Sequence, residues 1–462
     1  MRTLPLRVPT PEQLTVVDDA SPGFWLIRGA AGSGKTTTAL LRLGFLLRYR
    51  SERASFKGDE RVRVLVLTFN RTLRGYIDEL VHAKHENVDL EIRTFGQWAQ
   101  KLLDRDVLKP TDRAHRLSQL AHGRFPWSND FLVSEADYVL GHFLPPDLPS
   151  YRSLERKGRG RAPRVSATHR ERLLDEVLAP YETWKAEQGV VDWNDLAVEL
   201  ATRRVVAPYD VVIADEAQDF SANQIRAVVR HLADDFSCTF IRDATQRVYP
   251  NFFTWREVDV VIPRGQSREL RANHRNTKQI VAFARPLVDG IEQTEDSSLP
   301  DLRGCEREGP KPLVLRGRLD DQLDWAIRRL RSGEIAADET IAFLHPSSRS
   351  LEPVERRLNE ERLPWSSLTK AQIWPASPEQ IALSTMHSAK GLEFDHVIVL
   401  RYDATVVPHG GEDGDARLET HRRLLAMAIG RARKSVAIGY SPSDASPLIA
   451  LLDPATFDVV DL

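Results

Sequence analysis

Cysteine is nearly absent from this chain of 462 residues: Cys238 and Cys305 stand far apart, with no further thiol at metal-ligand spacing. That excludes a disulfide framework and a cysteine zinc site, and a reducing, cytoplasmic setting is expected. Charge of one sign is also lacking. Lys+Arg number 64 against 66 for Asp+Glu, a net charge of -2. A polybasic, histone-like protein is ruled out, so any nucleic-acid surface has to be a local patch. Apolar runs such as 64–69 and 397–400 fall far short of the ~20 residues that span a bilayer, and no membrane partner is expected. The opening MRTLPLRVPTPEQ has no apolar core, so no secretory leader is expected there. Tandem repeats and low-complexity tracts are missing as well.

What is present suffices for several cores. Apolar residues make up 42% and charged residues 28%. At ~150 residues per domain, the length corresponds to about three domains. Short apolar runs recur at 24–27, 62–67, 211–214, 238–241, 340–344, 381–384 and 396–400, each followed by a polar turn and a helix-like segment. Runs without strict alternation suit strands covered on both faces, and their alternation with helices predicts parallel α/β sheets. They cluster in zones near 24–95, 205–270 and 310–440. Between the first two zones the pattern is helical, at 118–122, 135–143, 169–188 and 192–202. The Pro-, Gly- and Arg-rich stretch 145–164 is expected to be an exposed loop.

Gly29-Ala30-Ala31-Gly32-Ser33-Gly34-Lys35-Thr36 follows the first apolar run and opens a helix predicted over 37–47. This is the G-x-x-x-x-G-K-[ST] phosphate loop in the context it requires. Glycines let backbone N–H groups face phosphates, and the helix N-terminus adds positive potential. Lys35 is expected at the β/γ-phosphates, and the Thr36 hydroxyl on Mg²⁺. A second element is the run 211–214, which ends in Asp215-Glu216-Ala217-Gln218-Asp219. Asp215 at a strand end suits support of Mg²⁺, and Glu216 suits activation of the attacking water.

Asp-Glu-Ala-Gln-Asp resembles motif II of the superfamily 1 helicases of the UvrD/Rep type, and other motifs follow in that family's order. Thr10-Pro11-Glu12-Gln13 resembles the Q motif. Leu67-Thr68-Phe69-Asn70-Arg71 is similar to motif Ia, and Arg93-Thr94-Phe95-Gly96 to motif Ib. The run 242–249 is similar to motif III, 270–277 to motif IV and 383–394 to motif V, and 422–433 resembles motif VI. The resemblance implies two RecA-like P-loop domains that share one ATP. Residues 1–99 and 205–268 would form domain 1A, 100–204 a helical 1B-like insertion, and 269–462 domain 2A. It also implies an ATP-dependent single-stranded DNA translocase or helicase, 3′→5′ in direction, that uses ATP and Mg²⁺.

Site residues follow from the resemblance position by position. Gln13 would read the adenine edge, and Thr37 would join the loop 29–36 in holding ATP. Gln246 would sense the γ-phosphate. Arg275 and Arg431 would be arginine fingers, Glu393 would contact the ribose, and His274 stands where a tyrosine stacks on adenine. Phe69, Asn70, Thr94, Phe95, Tyr249, Thr385 and His387 would contact DNA through stacking and phosphate donors. Phe252, Phe253 and Trp255 are further aromatic candidates. The basic run 156–161, with Arg164, Arg170 and Arg172, is a candidate phosphate patch. His82 and His85 are expected on a surface helix, not on a metal.

The chain departs from the family pattern at Arg242 in motif III and at Thr420, His421, Ala426 and Gly430 around motif VI. The largest departure is an absence. About fifteen residues lie between Leu363-Pro364-Trp365 and Ile381, enough for a connection, whereas the family inserts its 2B subdomain before motif V. A form without 2B is expected. It motivates an alternative function, a UvrD-like regulatory subunit that controls a partner such as a nuclease in a defence or repair complex.

Overall fold

The computed structural model describes residues 10–29, 33–57, 61–68, 87–154, 164–243, 253–270, 276–291, 305, 307–368, 379–389, 392–406 and 416–462. Six strands form the first sheet: β1 (Gly23–Gly29), β2 (Val62–Leu67), β3 (Val88–Arg93), β4 (Tyr209–Ala214), β5 (Leu232–Asp243) and β6 (Ser267–Leu270). Their order is β3-β2-β4-β5-β1-β6, and every pairing is parallel. Successive residues point to opposite faces, so both parities must be apolar when both faces are covered. Trp25, Ile27, Val64, Val66, Val211 and Ile213 pack on one face. Leu26, Leu65, Leu67, Val212 and Phe240 pack on the other.

The first face is covered by α2 (Lys35–Lys57), which follows the short α1 (Pro11–Val17). Ala39, Leu43, Leu46 and Leu47 are buried at helical spacing. The helix runs ten residues past the predicted 37–47 because Arg50 and Ser51 are held at its C-terminal end by Asp235 and Asn87. The second face is covered by α3 (Phe95–Leu103) and by elements that follow it.

The segment expected as a helical insertion holds α4 (Pro110–Ala121), α5 (Asn129–His142), α6 (Ala167–Arg172) and α7 (Ala179–Gln188), followed by α8 (Trp193–Thr202). A π-helical turn, Leu173–Leu178, makes α6 and α7 one continuous rod. The structure departs from the sequence expectations at four places. The helix expected at 118–122 is the end of a twelve-residue helix that starts at Pro110, where proline suits the first turn. The expected loop 145–164 begins as 3₁₀ turns over Pro145–Arg152, anchored by buried Tyr151. α8 belongs to the core of the first sheet, since Leu196, Ala197 and Leu200 pack with Phe95 and Trp98. The boundary expected at 268/269 cuts β6, where Glu269 and Leu270 are in register with Arg28 and Gly29.

After α9 (Ala222–Arg230) and β6, the chain builds a second sheet. Its strands are β7 (Leu313–Arg316), β8 (Ile341–His345), β9 (Trp365–Ser367), β10 (Ile381–Thr385), β11 (Phe394–Val399), β12 (Ala432–Tyr440) and β13 (Asp458–Asp461). The order is β13-β7-β12-β11-β8-β10-β9, again all parallel. Helices α10 (Lys278–Ala284), α11 (Leu319–Arg331), α12 (Glu352–Glu360) and α13 (Ala416–Ile429) accompany it. One face packs with α10 and α13, the other with α11 and α12. The fold is α/β, with two parallel RecA-like sheets, as the alternating pattern predicts. Among the described residues, no helix is long and apolar enough to cross a membrane.

Candidate nucleotide and nucleic-acid site

In open parallel sheets ligands bind beyond the carboxyl ends of the strands. Gly29 ends β1, and a Cβ there would lie 2.4 Å from Ser33 Oγ and 2.7 Å from the Leu270 carbonyl. Gly34 has φ +81°, and its Cβ would lie 2.5 Å from Gln13 Nε2. Glycine is therefore required at both ends of the turn. Lys35 begins α2 and donates from Nζ to the Gly29 carbonyl at 2.8 Å. Among the described residues, Ser33 Oγ is buried without a hydrogen-bond partner. An orphaned hydroxyl beside a lysine at a helix N-terminus fits a phosphate oxygen.

Gln13 is buried against this turn. Its side-chain oxygen accepts from Thr10 N at 3.0 Å, and Thr10 Oγ1 accepts from Gln13 N at 3.3 Å, a reciprocal cap of α1. Arg42 on α2 fixes α1 in place: its Nη1 donates to the Val16 and Asp19 carbonyls, both at 2.6 Å, and its guanidinium lies 4.0 Å over the Trp25 ring. Thr37 lies in the first turn of α2, half-buried.

Asp215 follows β4 and is buried. Its Oδ2 accepts from Thr68 Oγ1 at 3.3 Å, and its Oδ1 from the Glu216 N–H at 3.0 Å. Burial first, and then the charge of Glu216, push its carboxyl up to about 7, while Lys35 opposes the shift. Glu216 sits in the left-handed region at φ 55° and is bonded by the Gln218 amide. Two adjacent carboxyls at a strand end, one of them buried and short of positive charge, suit a hard divalent cation. The donor set therefore fits Mg²⁺.

On the second sheet, Arg431 lies between α13 and β12 and is 2% exposed. Its Nε donates to the Met427 carbonyl at 3.3 Å, and its Nη1 to the Leu392 carbonyl at 3.5 Å, beside half-buried Glu393. Thr385 ends β10, where its hydroxyl donates to Ser388 Oγ at 2.9 Å, and His387 is exposed in the same turn. Ala30, Ala31, Gly32, Phe69, Asn70, Gln246, Tyr249, His274 and Arg275 lie outside the described residues, as do the Thr36 side chain, Phe252, His82, His85 and the basic run 156–161.

Several expected DNA contacts are engaged elsewhere. Phe95 is 3% exposed, and its ring meets Trp98 at 5.5 Å and Phe220 at 6.1 Å, so it has no face left for a base. Thr94 caps α3, accepting from Gln97 N at 3.2 Å. Phe253 and Trp255 pack on the core, Trp255 at 4.8 Å from Phe240. Arg172 pairs with Glu176 at 3.0 Å, and Arg170 binds the carbonyls of Tyr151 and Leu154. Among the described residues, an exposed aromatic beside Thr94 is one that sequence reasoning missed: Trp193, 38% exposed, which leans over Gly96. Its signal was an aromatic directly after the helix cap Asp192, at a position where a half-exposed helix start favours polar residues.

A glycine-bounded strand–helix turn carrying lysine, with an acid pair at the end of a second parallel strand, defines a P-loop nucleotide hydrolase. Residues 10–260 match the family described as the UvrD/REP helicase N-terminal domain, and residues 363–443 the UvrD-like helicase C-terminal domain. DNA helicase IV of Escherichia coli (strain K12) is 23% identical over 92% of this chain and 67% of its own length. A "Probable DNA helicase" of Mycoplasma pneumoniae is 22% identical over 89% of this chain and 79% of its own. "ATP-dependent DNA helicase Rep" of Salmonella typhimurium is 26% identical over 34% of this chain and 21% of its own. The chain belongs to the UvrD/REP helicase family; it is a DNA helicase, an ATP-hydrolysing enzyme.

Proposed function

We propose that the chain couples Mg-ATP hydrolysis, at the carboxyl edge of its first sheet, to 3′→5′ movement along single-stranded DNA. The observation that carries the hydrolytic part is the convergence of Lys35, the orphaned Ser33 hydroxyl, buried Asp215 and half-buried Glu216. Lys35 and Ser33 bind and orient the triphosphate. Thr36 and Asp215 hold Mg²⁺, which supplies charge neutralisation at the phosphates. Glu216 holds the attacking water and takes its proton. Arg275 and Arg431 come from the second RecA-like unit and stabilise charge on the transferred phosphoryl group. Units 1A, 1B and 2A keep the expected order, with α8 packed on 1A and the 1A/2A boundary moved past β6, and the short link between β9 and β10 supports a form without 2B.

Trp193, Thr385 and His387 are exposed or half-exposed and supply a stacking face and polar donors suited to a single strand. The test is ATP turnover with and without single-stranded oligonucleotides, followed by unwinding of duplexes with a 3′ or a 5′ overhang. Stimulated turnover and strand separation from the 3′ overhang are expected. Equal turnover with and without DNA would reject the coupling, and preference for the 5′ overhang would reject the direction.

A further inference from the structure

Three carbonyls in a row, on Gly430, Arg431 and Ala432, lie where α13 has ended and β12 begins, and each accepts a hydrogen bond from another part of the chain. Asn276 Nδ2 donates to the Gly430 carbonyl at 3.1 Å and to the Ala432 carbonyl at 2.6 Å. Between them, the Phe394 N–H donates to the Arg431 carbonyl at 2.9 Å. An amide nitrogen has two protons, so the Asn276 side chain gives both to the peptide groups that flank Arg431. Asn276 is itself 2% exposed and fixed. Its own carbonyl accepts from Cys305 Sγ at 3.0 Å, and Lys278 N donates to the Arg307 carbonyl at 2.8 Å just beyond it.

We infer that Asn276 is a positioning residue for Arg431. It sets the backbone on both sides of the arginine, so that the guanidinium is delivered to the triphosphate in one geometry. The inference rests on the reading of Arg431 as a finger, given above. The amide N–H groups are the only part of Asn276 that the role uses. Aspartate has the same shape with oxygen in place of that nitrogen, and it would face two carbonyls with an acceptor. Serine is smaller, neutral, and offers a single proton. Displacing a catalytic group by about 1 Å can cost about 10²-fold in rate, which sets the scale expected.

The experiment uses the full chain with Asn276→Ser, Asn276→Asp and Arg431→Ala. It reads ATP turnover, affinity for ADP, affinity for a non-hydrolysable ATP analogue, and thermal midpoint. Asn276→Ser is expected to lower kcat ~10–100-fold and to weaken the triphosphate analogue several-fold, with ADP affinity within about twofold. Asn276→Asp should be worse on the same readouts. Turnover within twofold of the parent in Asn276→Ser, beside a large loss in Arg431→Ala, overturns the positioning role alone. Equal losses of ADP and analogue affinity overturn it too, since a merely structural residue would give that pattern. Normal turnover in Arg431→Ala overturns the finger reading, and the inference falls with it.

Discussion

Trp193 covers Gly96: the indole Cζ3 lies 3.1 Å from the point a Cβ on residue 96 would occupy. The two residues come from α8 and α3, on either side of the helical insertion, so an aromatic stands at the edge of the first RecA-like unit where the chain returns from the insertion. Stacking on a base is worth about 1–3 kcal/mol. Trp193→Ala should therefore weaken binding of a fluorescent single-stranded oligonucleotide ~5–100-fold by anisotropy, and unchanged affinity would remove this residue from the DNA path.

Phe95 should behave in the opposite way. Its ring lies in the core with Trp98 and Phe220. Phe95→Ala should cost ~3–5 kcal/mol of stability, seen as an earlier urea midpoint. A variant with parental stability but impaired DNA binding would contradict the burial argument.

Lys35 is the cation of the phosphate loop, hydrogen-bonded across it to Gly29. Lys35→Ala should lower ATP turnover at least ~10²–10³-fold, the scale for losing one preorganised charge donor. Steady-state phosphate release measures this, and parental turnover would place the hydrolytic site elsewhere.

The insertion is tied to α8 by a buried ionic network. Asp192, fully buried, accepts from Arg113 Nε and from Tyr181 OH, each at 3.0 Å, while Lys185 bonds Asp195 at 2.6 Å. Removing one partner leaves an uncompensated buried charge. Lys185→Met should destabilise by ~3–5 kcal/mol in a denaturant titration. A loss under 1 kcal/mol would mean that Arg113 alone compensates Asp192, with half-exposed Asp195 solvated.

At the start of β11, His396 holds Glu339 at 2.8 Å and Ser435 at 2.7 Å, with Lys434 also on Glu339. Burial opposes the Glu339 charge. The hydrogen bonds from Lys434, His396 and the Ala336 N–H outweigh that and pull the carboxyl from 4.5 down to about 2. A folded value below the unfolded one contributes stability above 4.5, lost as pH falls toward 2. Glu339→Gln should flatten the fall in urea midpoint across that window. An unchanged slope would show the carboxyl to be indifferent to folding.

Seven central strands were legible because burial on both faces leaves a continuous apolar signature, and β2 has the bounds its run predicts; the central β7 and β12 matched none of the expected runs, since charged or polar residues interrupt them. Edge strands were not legible. β13 offers only Val459 and Val460 between two aspartates and lies beyond the zones where strands were expected. The phosphate loop and acid pair could be read locally because neighbours in sequence are neighbours in space there. Phe95 could not, since a motif position says nothing of which way a ring turns when a helix begins. Asn276 was hidden for a different reason: its partners are about 155 residues away, and only the fold brings them within a hydrogen bond.

β1 has its sheet neighbours far downstream, in β5 and β6, with Leu26 paired to Ser267. On the ribosome, at about 5–20 residues per second, the strand that carries the nucleotide loop waits on the order of ten to fifty seconds before both flanks have been made. During that interval Trp25 and Ile27 have α2 to pack against but no strand on either side, and a nascent chain that has not reached β6 cannot hold a triphosphate in the finished way. Premature termination anywhere in the insertion would yield an apolar orphan strand, a substrate for chaperones and proteases and not a partial enzyme.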